Sequence, residues 1–279
     1  MENKAIKNEI DVSYILSNLI TSPIIRIDRN EFLRSALSNY FNDKIVDKAI
    51  EICPAYAGIS TRRLRRISEG IIGLETTKTS AASFLAGLPG GAAILGTIPV
   101  DIAQFFVRIL IVTQKLMYLY GWPDLLNENR ELDDGTANIL LQFTGIMFGA
   151  DQSGKAVNIL SNTLAKQFAK ELAENAAEKG AQKITAQVVT KNAVKPVFNL
   201  TKKFILSEAS KITLKKGAKV LVPILGGFVS GAITYFTFKP QARRLRNHLE
   251  TLKQADPVFY AEARKSAAAY RSEVNCAEI

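Results

Sequence analysis

Two long stretches of this chain carry no charge, and both contain residues that interrupt helices. The first lies between Lys78 and Asp101 and reads TSAASFLAGLPGGAAILGTIPV, 22 residues with Pro89 beside Gly90 and Gly91. The second lies between Lys219 and Lys239 and reads VLVPILGGFVSGAITYFTF, 19 residues with Pro223 and the pair Gly226-Gly227. Either run is long enough to cross a bilayer. Proline and paired glycines, however, favour a helix–turn–helix break over a straight span. Small residues also allow helices to approach closely, in water or in lipid. Two readings of the runs therefore stand open, as buried core or as membrane-inserting segments. The shared layout also fits a weak internal duplication or chance.

Elsewhere helical periodicity dominates. Residues 1–20 read as a short amphipathic helix ended by Ser22-Pro23. Asp28 caps a second candidate over 28–52, with Phe32, Leu33, Leu37, Phe41 and Ile45 at helical spacing. A basic helix over 60–79 opens with Arg62, Arg63, Arg65 and Arg66, against the helix dipole. Residues 99–120 form a helix ended by Gly121 and Pro123. Residues 124–135 are an acidic surface loop. Helices follow over 136–150, 152–195 and 196–216, a basic helix over 239–253, and an alanine-rich patch in the tail. The expected fold is all-α, a single compact helical domain with the two Gly-rich apolar helical segments packed together. Its parts are N-terminal helices over 1–55, a main helical domain over 56–255 and a tail over 256–279.

The formal charge is +10, and its distribution is uneven. Residues 1–180 hold 19 Lys and Arg against 20 Asp and Glu, and residues 181–279 hold 17 against 6. A basic final third points to an anionic partner, with a plain solvated surface as the alternative. Cys53 and Cys276 are too far apart in sequence to form a CxxC motif, and one histidine cannot make an HExxH site. No metal and no cofactor is expected. Neither GxSxG nor GxxxxGK[ST] occurs. The basic segments lack interleaved aromatics for stacking bases, which disfavours nucleic acid. The start, MENKAIKNEIDVSYILSNLI, is interrupted by acidic residues and lacks a signal-peptide core. A cytoplasmic protein is expected, with the inner membrane face as a place of association.

The residues with most chemical content lie on the helix over 100–120. At about 100° per residue, Asp101, Gln104, Arg108 and Lys115 share an arc of about 60° on an otherwise apolar helix. Such a stripe needs internal partners, a cleft or water. It reads either as an ion-pair ladder or as a polar track binding an anionic headgroup, with Lys239 or Arg243 opposite. Asp101 as acid or base would instead make a lipid-acting enzyme, although no nucleophile is evident. Tyr118, Tyr120 and Trp122 suit a membrane interface or the edge of a core. Arg243, Arg244 and Arg246 follow the second run, where anionic lipid would favour them. His248, beside these cations, reads as a surface residue.

The segment IPVDIAQFFVRILIVTQKLMYLYGWPDL, residues 98–125, resembles the signature of the EcsC protein family. Pro99, Asp101, Gln104, Lys115 and Tyr120-Gly121-Trp122-Pro123 carry the likeness. LPGGAAILG at 88–96 and PILGGFVSGAITYFTFKPQARRLRNHL at 223–249 are similar to that family's glycine-rich helices, and the likeness spans roughly residues 60–255. The aromatics Tyr235-Phe236-Thr237-Phe238 depart from its pattern. The resemblance implies a bacterial, all-helical cytoplasmic protein, membrane-associated, with no agreed activity. The family is named for a protein encoded beside a transporter. The expected function is a peripheral membrane- or lipid-binding protein. The lipid-acting enzyme and a structural protein docking on a membrane transporter are the alternatives.

Overall fold

A computed structural model describes residues 19–20, 22–77, 100–173 and 231–277. The described elements are α1 (Arg29–Leu37), α2 (Asp43–Glu51), α3 (Thr61–Thr77), α4 (Val100–Leu119), α5 (Asp134–Met147), α6 (Asp151–Ala173), α7 (Gly231–Leu249) and α8 (Pro257–Ala277). Short 3-10 turns lie at Pro23–Ile25 and Lys253–Ala255. Among the described residues the only extended pairing is one isolated bridge between Leu126 and Leu132. The all-helical single domain expected from the sequence is what the structure shows.

Local chemistry explains where the helices start and stop. Asp28 accepts a hydrogen bond from Glu31 N at 2.8 Å and opens α1. The stretch expected as one helix over 28–52 is two, because Asn42 caps a new start by accepting from Ile45 N at 3.1 Å. Asp133 caps α5 in the same way, through Thr136 N at 2.8 Å. Two helices end on the same device. At the end of α4, Gly121 has φ +88°, with Trp122 N donating to Met117 O and Gly121 N to Tyr118 O. At the end of α5, Gly149 has φ +83°, with Ala150 N donating to Gly145 O and Gly149 N to Ile146 O.

The core centres on α4, which packs against α1, α3, α5 and α7, while α7 also packs on α3 and α5. From Phe106 onward α4 buries residues all round, including Ile109, Leu110, Val112, Leu116 and Leu119. Leu33 and Leu37 from α1 and Leu245 and Leu249 from α7 join the same cluster. Arg29 is buried beneath this hub. Its Nε donates to Trp122 O at 3.2 Å, Nη1 to Ile50 O at 2.6 Å and Nη2 to Ile52 O at 2.9 Å. Burial lowers the proton affinity of its guanidinium, opposed by the nearby Cys53 and Asp124.

A satellite cluster holds α8. Cys53, Tyr56 and Tyr260 are buried there, Phe168 lies edge-on to Tyr260 at 5.1 Å, and Arg264 stacks 3.7 Å over the Tyr56 ring. The Cys53 thiol is pushed up by burial, against a hydrogen bond with the Tyr260 side chain. The alanine-rich patch expected in the tail lies within a helix from Pro257 to Ala277.

Two expectations are corrected. The first is the pair of Gly-rich apolar helical segments packed together as the centre of the fold. The described core is built without such a pair, from α4, which begins at Val100 as the first run ends, and α7, which takes in only the last part of the second run from Gly231. Residues 78–99 and 174–230 lie outside the described residues. The second is membrane association and lipid binding. Among the described residues no helix is long and apolar enough to cross a membrane. The aromatic trio given to a membrane interface, Tyr118, Tyr120 and Trp122, is at most 1% exposed and belongs to the core. Large rings with one polar tip satisfy a core edge as well as a lipid boundary, and packing decided between them.

Two substitutions test this framework. A Cβ added at Gly121 would lie 2.5 Å from the backbone oxygen of Gln254. Gly121→Ala therefore combines a left-handed backbone with a clash, and is expected to cost about 1–3 kcal/mol in urea unfolding. Arg29→Ala removes a buried guanidinium that donates to three carbonyls and is expected to cost about 3 kcal/mol or more. The fluorescence of Trp122, the only tryptophan and fully buried, reports both transitions.

Candidate functional site

α4 packs directly on α3, and Lys115 of the polar stripe reaches across to it. Lys115 Nζ donates to Glu75 Oε1 at 2.6 Å, with the lysine side chain 16% and the glutamate side chain 3% exposed. The same ammonium lies 6.0 Å over the Phe32 ring. Burial of both charges is tolerable because they neutralise each other. Arg108 lies two turns before Lys115 on this face and is half-buried. Burial lowers the proton affinity of its guanidinium, and the Glu75 carboxylate opposes that. Among the described residues Arg108 makes no hydrogen bond and no ion pair. The side chains of Asp101 and Gln104, on the first turns of α4, lie outside the described residues.

Below this pair runs an ionic clasp joining α3, α7 and the end of α4. Arg243 grips Glu69 with Nε and Nη2, each at 2.9 Å from a carboxylate oxygen. Arg246, nearly buried, binds the same carboxylate and lies 3.8 Å from Glu250. Glu250 also takes Arg65, with Nε at 3.0 Å from both oxygens, and accepts from Tyr120 Oη at 2.8 Å. Ser68 Oγ lies 3.3 Å from Tyr120 Oη. Burial raises the Tyr120 phenol well above its ordinary range, so it stays protonated and serves as the donor.

The other residues named from the sequence fall outside this clasp. Lys239 is half-buried near the start of the described side chains of α7 and is engaged. Arg244 donates from Nη1 to Met147 O at 2.9 Å, a cation on the last carbonyls of α5. Tyr118 donates to Asp124 at 3.3 Å and accepts from Leu125 N at 3.3 Å. Trp122 meets Phe143 edge-on at 4.6 Å. Arg244, Tyr118 and Trp122 thus bond elsewhere than the Lys115–Glu75 pair.

The carboxylates that complete the site, Glu69, Glu75 and Glu250, are absent from the sequence reading. Glu75 carried a readable signal, since it falls on the helical arc of the buried Leu64, Ile67, Ser68 and Ile72. A carboxylate on an apolar face requires a cation from a neighbour. Glu250 lies just beyond α7 and carried no such signal. Among the described residues no group of His, Cys, Asp and Glu is placed to hold a metal ion.

His248 is not a surface residue. It is half-buried against Gly154 at the start of α6, its Nε2 has no hydrogen-bond partner, and burial lowers its proton affinity. A neutral histidine suits this place and an imidazolium does not.

No known protein family matches the chain, and neither a characterised protein nor a solved structure is significantly similar to it. The likeness of residues 60–255 to the EcsC family thus rests on the residues quoted above, and no family membership follows.

Two pH effects follow from these shifts. Arg243 holds the Glu69 carboxyl below its ordinary value, against the cost of burial. Stability from Glu69 is therefore full above about pH 4.3 and is lost as pH falls through its lower folded value. His248 also has a lowered folded value, so its contribution is full above about pH 6.5 and declines below that. Urea midpoints should decline from pH 7 to 5 in the natural protein and much less in His248→Gln. Glu69→Gln should lower stability at pH 7 and flatten the more acidic limb. An unchanged slope in both variants would contradict the assignment.

Proposed function

We propose that this chain is a non-catalytic binding protein that takes a small anionic group, a phosphate or a carboxylate, at Arg108. One observation carries the reading. Arg108 is a half-buried guanidinium with no hydrogen bond or ion pair among the described residues, while Lys115 on the same helix and Arg243 and Arg246 on α7 are all matched to carboxylates. A partly desolvated cation gains from any anion that restores its lost hydration. Arginine offers a planar fork suited to two-point recognition of either group. The matched cations argue against acid–base chemistry among the described side chains, because Lys115 and Glu75 neutralise each other and Tyr120 is held as a donor.

The test separates binding from structure by the sign of an effect. About 10 mM inorganic phosphate or succinate is expected to raise the melting temperature by a few degrees, equivalent to about 1 kcal/mol of linkage. Arg108→Ala should remove that rise and leave the ligand-free melting temperature unchanged or slightly higher, since a costly unpaired charge has gone. A structural cation would behave oppositely, with Arg108→Ala melting lower and the phosphate response unaltered. That outcome would overturn the proposal, as would the absence of any response to either anion.

A further inference from the structure

We propose that the first turns of α3, together with Tyr40, form a docking surface for an acidic segment of a partner protein. This surface is separate from Arg108 and stands or falls independently of it. α3 opens with four arginines in five positions, Arg62, Arg63, Arg65 and Arg66, all exposed. They have different fates. Arg65 is tied to Glu250, and Arg63 lies over the Phe41 ring, 5.6 Å from its centroid. Arg62 and Arg66 have no partner among the described residues.

This arrangement works against the helix that carries it. Cations in a first turn oppose the helix dipole, and like charges four residues apart repel. The fold gains nothing from Arg62 and Arg66, so the charge is available to another molecule. Their place is nevertheless well defined. Ser60 O accepts from both Arg63 N and Leu64 N, and Thr61 Oγ1 bonds Ala255 O at 3.3 Å. The arginine stems therefore project from a fixed turn, which lowers the ordering cost of docking.

The surroundings select a protein partner. Tyr40, beside Phe41 in the turn between α1 and α2, is 52% exposed. Exposed tyrosine beside arginine is the side-chain combination that dominates protein interface energetics. Nucleic acid needs a continuous run of cations to follow successive phosphates. Here the run stops within one helical turn, because Glu69 and Glu250 neutralise Arg243, Arg246 and Arg65. Two guanidiniums without a partner among the described residues, a third over a ring and one tyrosine match a few carboxylates next to an apolar side chain.

The experiment uses the full chain and a fluorescein-labelled peptide of glutamates flanking a central tryptophan, read by anisotropy at about 20 mM and about 300 mM salt. Binding is expected at low salt and weakened at high salt. The double change R62E/R66E should reduce affinity at least tenfold without lowering the melting temperature. Reversing Lys155, an exposed cation on α6, should leave affinity within about twofold. Tyr40→Ala should weaken binding of this peptide more than binding of an all-glutamate peptide. The proposal is overturned if no peptide binds at low salt, or if K155E acts as strongly as R62E/R66E. It is also overturned if vesicles of phosphatidylglycerol or a single-stranded oligonucleotide bind in an Arg62- and Arg66-dependent way while the peptides do not.

Discussion

Arg29 begins α1, yet its guanidinium lies inside the protein, bonded to Trp122 O, Ile50 O and Ile52 O. Those carbonyls belong to the turn after α4 and to the end of α2, where helices leave carbonyls short of intrahelical donors. One side chain thereby satisfies the loose ends of two elements and fastens the N-terminal helices to the hub. The left-handed Gly121 permits the turn that presents Trp122 O, and Gln254 closes over the space where a Cβ would stand. The same turn brings Asp124 and Leu125 N to the Tyr118 hydroxyl.

A helix buried on most sides imposes a second constraint. α4 has almost no surface on which to leave a charge, so Lys115 must be answered from a neighbour, and Glu75 on α3 answers it. The same logic extends along α3, where Glu69 faces Arg243 and Arg246 and Arg65 faces Glu250. These pairs hold three helices in one register more than they add net stability, since burying charge is costly even when it is matched. Against that regularity the unmatched groups are informative. Among the described residues Arg108 is half-buried and without an ion pair, and Arg62 and Arg66 are exposed and without one at the head of α3. The proposed small-anion site starts from the first and the proposed docking surface from the other two.

Much of the helical outline was legible in the chain. Asp28 and Asp133 are polar caps ahead of apolar periodicity, and Gly121 followed by Pro123 marks a stop, because backbone groups at helix ends must be satisfied locally. The break at Asn42 was missed because the apolar spacing runs through it from Leu37 to Ile45. The candidate site was half legible. Its cations stand out on an apolar helix, whereas Glu69 and Glu250 sit among ordinary surface-like residues until another helix is laid beside them. The basic cluster Arg243, Arg244 and Arg246 looked uniform in sequence but divides in the structure, since Arg243 and Arg246 share Glu69 while Arg244 binds Met147 O.

The sequence by itself determined that the chain is helical, where several helices begin and end, and that α4 is a buried element with a polar stripe. These properties depend on spacing and on caps within a few residues. Only the tertiary structure decided that Tyr118, Tyr120 and Trp122 face the core, that Lys115 and Arg243 are neutralised, and that Arg108, Arg62 and Arg66 meet no carboxylate among the described residues. Charge compensation and burial depend on which distant residues meet, and Lys115 with Glu75 or Arg65 with Glu250 are joined across 40 and 185 positions of chain. No local pattern encodes such a pairing, because the energy that selects it appears only once water has been removed from between the helices.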